Sequence, residues 1–157
     1  FVAPLLNVVN CFGEEWGWRG FLFPKMCEGH PFNRTALLVG LIWGIWHAPV
    51  IAYGHNYGKV WGTDPWWMVC LAIVAMCLFC IVLTFLFGYI SEKADSVWPA
   101  VLAHGGVNGC AGIGLLFLTS PDVANTFLGP TPVGIIGGLP FILVAILIAL
   151  RKRKAVQ

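Results

Sequence analysis

Apolar residues run along this chain in blocks too long for the interior of a water-soluble domain. The stretch from Trp66 to Ile90 carries no charge. As a helix rising ~1.5 Å per residue, it crosses a ~30 Å hydrocarbon layer with some tilt. Val133 to Leu150 is a second uncharged block, and Ala36 to Tyr53 and Val97 to Thr119 carry one histidine each, His47 and His104. A fifth block, Phe1 to about Phe23, holds Glu14, Glu15 and Arg19. Charges at such a depth are costly unless they face protein or water, which marks this block as functional. The pattern predicts an all-α, polytopic transmembrane helix bundle of about five spans. Its connectors are Pro24–Thr35, Gly54–Pro65, Ser91–Ser96 and Ser120–Pro132.

Composition supports the same class. Of the 157 residues 59% are hydrophobic and 10% charged, whereas soluble domains carry about 25% charged residues. The net charge is only +2, with four of the nine basic residues in the terminal run Arg151 to Lys154, so no surface is left for nucleic acid. If the spans alternate, Lys25, Arg34, Lys93 and that run share one side and Lys59 stands on the other. The positive-inside rule then puts the C-terminus in the cytoplasm and Phe1 outside. The expectation is a multi-pass protein of a bacterial plasma membrane, with residues 1–150 as the membrane domain and 151–157 as a basic cytoplasmic tail. The first residue is not Met and no basic segment precedes an apolar one, so we expect the C-terminal part of a longer protein. All cysteines except Cys27 lie in apolar stretches and are expected as free thiols. Cys77-Leu78-Phe79-Cys80 lacks the strand and helix context of a redox motif, and is read as lipid-facing packing.

Three polar patterns remain. In Gly13-Glu14-Glu15-Trp16-Gly17-Trp18-Arg19, Glu15 and Arg19 are at i,i+4 and form a charge-assisted pair on a helix. Glu14 points about 100° away, without the arginine, and is left for general-base work. In Trp43-Gly44-Ile45-Trp46-His47-Ala48-Pro49, Trp43 sits one turn before His47, and Pro49 marks a kink beside a cavity. In His104-Gly105-Gly106-Val107-Asn108, two polar groups share one face, with glycines between them that permit close approach. Each pattern alone also fits simple helix packing. Depth joins them: Glu14, His47 and His104 lie about 15, 16 and 10 Å from the ends of their spans on the basic side, which predicts one pocket opening toward the cytoplasm.

One Glu, two His and one Asn around water point to hydrolysis. Glu14 takes a proton from water, His47 positions and polarises it, and His104 with Asn108 stabilises the oxyanion at a scissile carbonyl. Covalent catalysis is disfavoured, since Ser91, Ser96 and Ser120 sit at connectors without a paired His and the cysteines have none at a readable spacing. Zinc held by Glu14, His47 and His104 is chemically reasonable, although no H-E-x-x-H is present. His30 and His55 fall in connectors on opposite sides and are not expected in the site. Trp66 and Trp67 read as an interfacial belt, and the Trp16/Trp18 and Trp43/Trp46 pairs as packing.

Glu14-Glu15-x-x-x-Arg19, then Trp43-x-x-x-His47, then His104-x-x-x-Asn108, in this order on successive spans, resembles the CPBP family of CAAX-protease and bacteriocin-processing intramembrane proteases, also called the Abi family. The resemblance covers roughly Gly13 to Gly112. It implies an all-helical intramembrane endopeptidase, with Glu14 as base, His47 assisting, His104 and Asn108 on the oxyanion side, and Glu15 with Arg19 in support. It also implies a peptide or lipidated protein as substrate, and further spans ahead of the Glu-Glu motif. The family usually has Phe in place of Trp43 and often Phe in place of Ala100, so a roomier pocket is expected beside Ala100. Two other functions compete: a non-enzymatic bacteriocin-immunity or scaffold protein, which has no need of Glu14 beyond the Glu15–Arg19 pair, and a proton-coupled transporter using the same buried groups as a relay.

Overall fold

The computed structural model describes residues 2–117 and 127–154. The described elements are helical, in the order α1 (Ala3–Leu6), α2 (Val8–Gly17), a π-helical turn (Trp18–Leu22), α3 (Phe23–Cys27), α4 (Phe32–Trp46), α5 (Ala48–Ala52), α6 (Trp66–Ala94), α7 (Trp98–Cys110), a 3-10 turn (Ile113–Phe117) and α8 (Ile135–Lys154). Among the described residues no strand forms, and two isolated bridges, Tyr53 with Val60 and Trp61 with Asp64, tie the connector before α6. This is the expected polytopic helical bundle.

Helix α6 is its central post. It is apolar on every side, as a membrane-spanning helix is; α4, α5, α7 and α8 pack on it, while Leu71, Val74 and Leu78 stay exposed. Pro65 precedes its first turn, and Asp95 ends it in the left-handed conformation at φ 48°. Helices α1 and α2 lean on α7 from the far side. Among the described residues three segments are long and apolar enough to cross a membrane: Trp66–Ala94, Trp98–Phe117 and Ile135–Arg153. The other two expected spans fall short of that description for local reasons. The stretch around α4 breaks at His47, where Pro49 lacks the N–H that would continue the ladder. The first holds Glu14, Glu15 and Arg19, and it extends past Phe23 to Cys27. Pro24 sits inside that helical run because the π turn before it, closed by Phe23 N–H to the Trp18 carbonyl, widens the backbone where Pro24 would clash.

The seam between α4 and α6 is the tightest contact. A Cβ on Gly40 would lie 2.5 Å from Ile81 Cα, and one on Gly44 would lie 2.4 Å from Cys77 Cα. Gly40-x-x-x-Gly44 thus lets two backbones meet, as small-residue pairs do between membrane helices. This seam corrects the reading of Cys77 and Cys80 as lipid-facing: both are buried, turned inward by the approach of α4. All six cysteines are free thiols.

Gly44→Val should therefore force the helices apart and lower stability by more than about 3 kcal/mol, since backbone has no rotamer with which to yield. Gly17→Ala, with nothing within 4 Å of its Cβ position, should be neutral or raise stability by up to about 1 kcal/mol. Thermal unfolding in one detergent, read by circular dichroism, compares them; equal melting temperatures would contradict this account of the seam.

Candidate active site

Glu14 and Glu15 are neighbours on α2 that face different surroundings, as their helical offset of about 100° requires. Glu15 is fully buried. Its Oε1 accepts from Arg19 Nη1 at 3.0 Å and from His104 Nδ1 at 2.9 Å. The Arg19 side chain is likewise buried, and its Nη2 donates to Thr84 Oγ1 at 2.9 Å, whose own hydrogen goes to the Cys80 carbonyl at 2.7 Å. The guanidinium lies 4.3 Å from the centroid of Trp43 and 5.1 Å from that of Phe87, stacked on electron-rich faces. Glu14 is half-buried, and its Oε2 accepts from the indole Nε1 of Trp43 at 3.0 Å.

His47 closes α4. Its Nδ1 lies 2.8 Å from the Trp43 carbonyl, which only accepts, so Nδ1 carries the proton and Nε2 is left for the cavity. His104 is fixed in the same way by the Glu15 carboxylate. Cys80 Sγ stands 3.9 Å from His47 Nδ1, but that nitrogen already donates elsewhere and is no base for the thiol. Asn108, one turn after His104, rests an N–H on Cys11 Sγ at 3.7 Å.

Glu14, His47, His104 and Asn108 line a single cavity of about 410 Å³, together with Trp43, Cys80 and others. Three helices distant in sequence thus bring together the four residues expected to work as one set, with Glu15 and Arg19 behind them. Ala100 is fully buried in the core and does not line this cavity.

The cavity runs from mid-bundle toward the end that carries His55, Asn56, Pro132 and Val133. These lining residues sit on the connectors at that end, whereas the expected opening lies on the basic side. On that side the bundle is filled by the layer of Glu15, Arg19, Thr84 and Phe87. Beyond it a separate cavity of about 660 Å³ holds His30, Ser91 and Lys152, the last paired with Glu92. His30 and His55 do lie apart, but His55 lines the candidate site, which its place in a connector concealed. Tyr57 ties this connector down: its hydroxyl donates to the Val133 carbonyl at 3.2 Å, and burial raises its pKa well above the usual tyrosine range. Thr84 and the indole N–H of Trp43 were also missed, and nothing local in the sequence announces either contact. Ser91 is buried on α6 and Ser96 lies in the following turn, both away from this cavity, while Ser120 lies outside the described residues. Among the described residues no three His, Cys, Asp or Glu side chains are grouped as a metal ion would need.

Residues 1–110 match the family described as type II CAAX prenyl endopeptidase, Rce1-like. The chain belongs to this family. All six residues of the site and its support fall within the matched region. The chain is also 34% identical over 55 residues to a protein named CAAX prenyl protease 2 from Methanococcus maripaludis, a stretch covering 34% of this chain and 20% of that relative. The chain thus spans about a fifth of the length of the curated relative it matches. No solved structure matches it.

The buried pair yields a stability prediction. Arg19→Met strands a buried carboxylate and should cost about 3–5 kcal/mol, while Glu15→Met combined with Arg19→Met should recover much of that loss, because two apolar side chains need no partner. Chemical denaturation in mild detergent measures both. A double variant no more stable than the single one would show that the pair is not the dominant cost.

Proposed function

We propose that this member of the Rce1-like family is an intramembrane endopeptidase whose base is Glu14. The observation that carries this reading is the convergence of Glu14, His47, His104 and Asn108 on one cavity, with Glu14 outside the Glu15–Arg19 pair and both imidazoles oriented through Nδ1. Glu14 accepts a proton from water as the water oxygen adds to the scissile carbonyl carbon. His47 Nε2, bare in the neutral ring, accepts the second water hydrogen as a hydrogen bond and so aligns the attacking lone pair. The carbonyl oxygen becomes an oxyanion that Asn108 and His104 stabilise. Glu15 holds His104 through Nδ1 and so presents the Nε2 edge of its ring to that oxygen. Collapse breaks the C–N bond, and the proton held by Glu14 passes to the leaving amine.

The substrate class follows from the family's description and the relative's name: a prenylated CAAX protein, with maturation of a short peptide such as a bacteriocin as the alternative. By the charge count the C-terminal basic run lies at the cytoplasmic face. Glu14, His47 and His104 would have to draw closer together to hold a zinc ion, since among the described residues they are not grouped for one.

The test uses the protein in detergent or bilayers with prenylated and unprenylated peptides. Glu14→Gln should lower cleavage by about 10²- to 10⁴-fold without loss of fold. Survival of wild-type cleavage in a chelator supports a carboxylate-activated water, and loss in chelator with rescue by zinc supports the metal. A folded wild type that cuts no peptide would move the reading to an immunity or scaffold protein.

A further inference from the structure

Trp43 touches Glu14, His47, His104 and Arg19 at once. Its indole N–H donates to Glu14, its backbone carbonyl accepts from His47, its ring meets His104 edge-on at 5.3 Å between centroids, and the Arg19 guanidinium lies on its face. Only 1% of the residue is exposed, so these neighbours fix the ring plane and with it the direction of the N–H. That N–H reaches Glu14 Oε2 at 3.0 Å. Without that donor, a half-buried glutamate on a helix samples several rotamers, and only some of them bring a carboxylate oxygen to a water held by His47.

We propose that Trp43 is a positioning residue for Glu14: its indole N–H holds one carboxylate oxygen and thereby turns the other to the cavity. The proposal rests on the reading of Glu14 as the base and goes beyond it by assigning what aims the base. Packing against Phe87, Trp18 and Arg19 needs only an aromatic ring, whereas holding Glu14 needs a donor. Phenylalanine supplies the first and not the second. A hydrogen bond to a charged group in a desolvated setting exceeds an ordinary one in strength, and misplacement of a base by less than an ångström is enough to slow a reaction.

Two measurements test this. With prenylated peptide as substrate, Trp43→Phe should reduce kcat roughly ten- to hundredfold and leave KM within about twofold, while Trp67→Phe, at the exposed start of α6, should change neither. In ¹⁵N-tryptophan-labelled protein, the Trp43 indole resonance, identified by its contacts to the His104 ring protons, should move upfield in Glu14→Gln more than any other indole. This second readout keeps Trp43 in place and survives a Trp43→Phe variant that fails to fold. Unchanged kcat in Trp43→Phe, or an indole resonance indifferent to Glu14→Gln, overturns the proposal. If the wild type cuts no peptide while the resonance still moves, the hydrogen bond stands and the peptidase reading alone falls.

Discussion

The Glu15–Arg19 ion pair, wholly removed from solvent, constrains everything around it. A guanidinium in an apolar bundle is tolerated only if its charge is countered and most of its donors are met. Here Glu15 on α2 and Thr84 on α6 accept from its two terminal nitrogens and the rings of Trp43 on α4 and Phe87 on α6 cover it, with His104 on α7 sharing the same carboxylate oxygen, while Arg19 Nε and Glu15 Oε2 stay buried without a hydrogen-bond partner. Moving any one helix by a turn would strand a charge. Buried pairs contribute little net stability against well-packed apolar replacements, so the use of this one lies in register: it brings His104 and Trp43 to fixed places on either side of Glu14.

What was legible in the sequence was what is local. Glu15 with Arg19, Trp43 with His47 and His104 with Asn108 each lie one helical turn apart, so the faces they share follow from helix geometry. The long uncharged blocks likewise gave the bundle its class. Contacts between helices were not legible, because nothing in the spacing says that Thr84 meets Arg19 or that the Trp43 indole reaches Glu14. One long-range signal was present: Gly40 and Gly44 mark a close helix crossing, and reading them would have turned Cys77 and Cys80 inward. Depth measured from the basic end placed the polar groups at one level. It did not say which end of the bundle was closed, since that depends on the filling of the layer around Arg19.

Glycine spacing and the break at His47 act together on the geometry of α4. The close seam at Gly40 and Gly44 holds α4 against α6 up to the last turn, and the chain then departs at His47 because Pro49 cannot extend the ladder. The histidine is thus presented at the terminus of a rigid element. Such placement suits a group that must be held to within a fraction of an ångström and still face open space.

On the proposed reading two adjacent glutamates perform opposite tasks, and the helix makes this possible at no cost in length. A carboxylate that accepts from Arg19 and His104 has its charge committed, and it serves as an anchor. A useful base must instead keep an oxygen uncommitted, near water and near the bond to be broken. Successive positions on one helix diverge by about 100°, so a single Glu-Glu pair sends one side chain into the closed polar layer and the other to the cavity wall. Exchanging the two environments would require rotating α2 by about that angle, which the Arg19 contacts to α4 and α6 forbid.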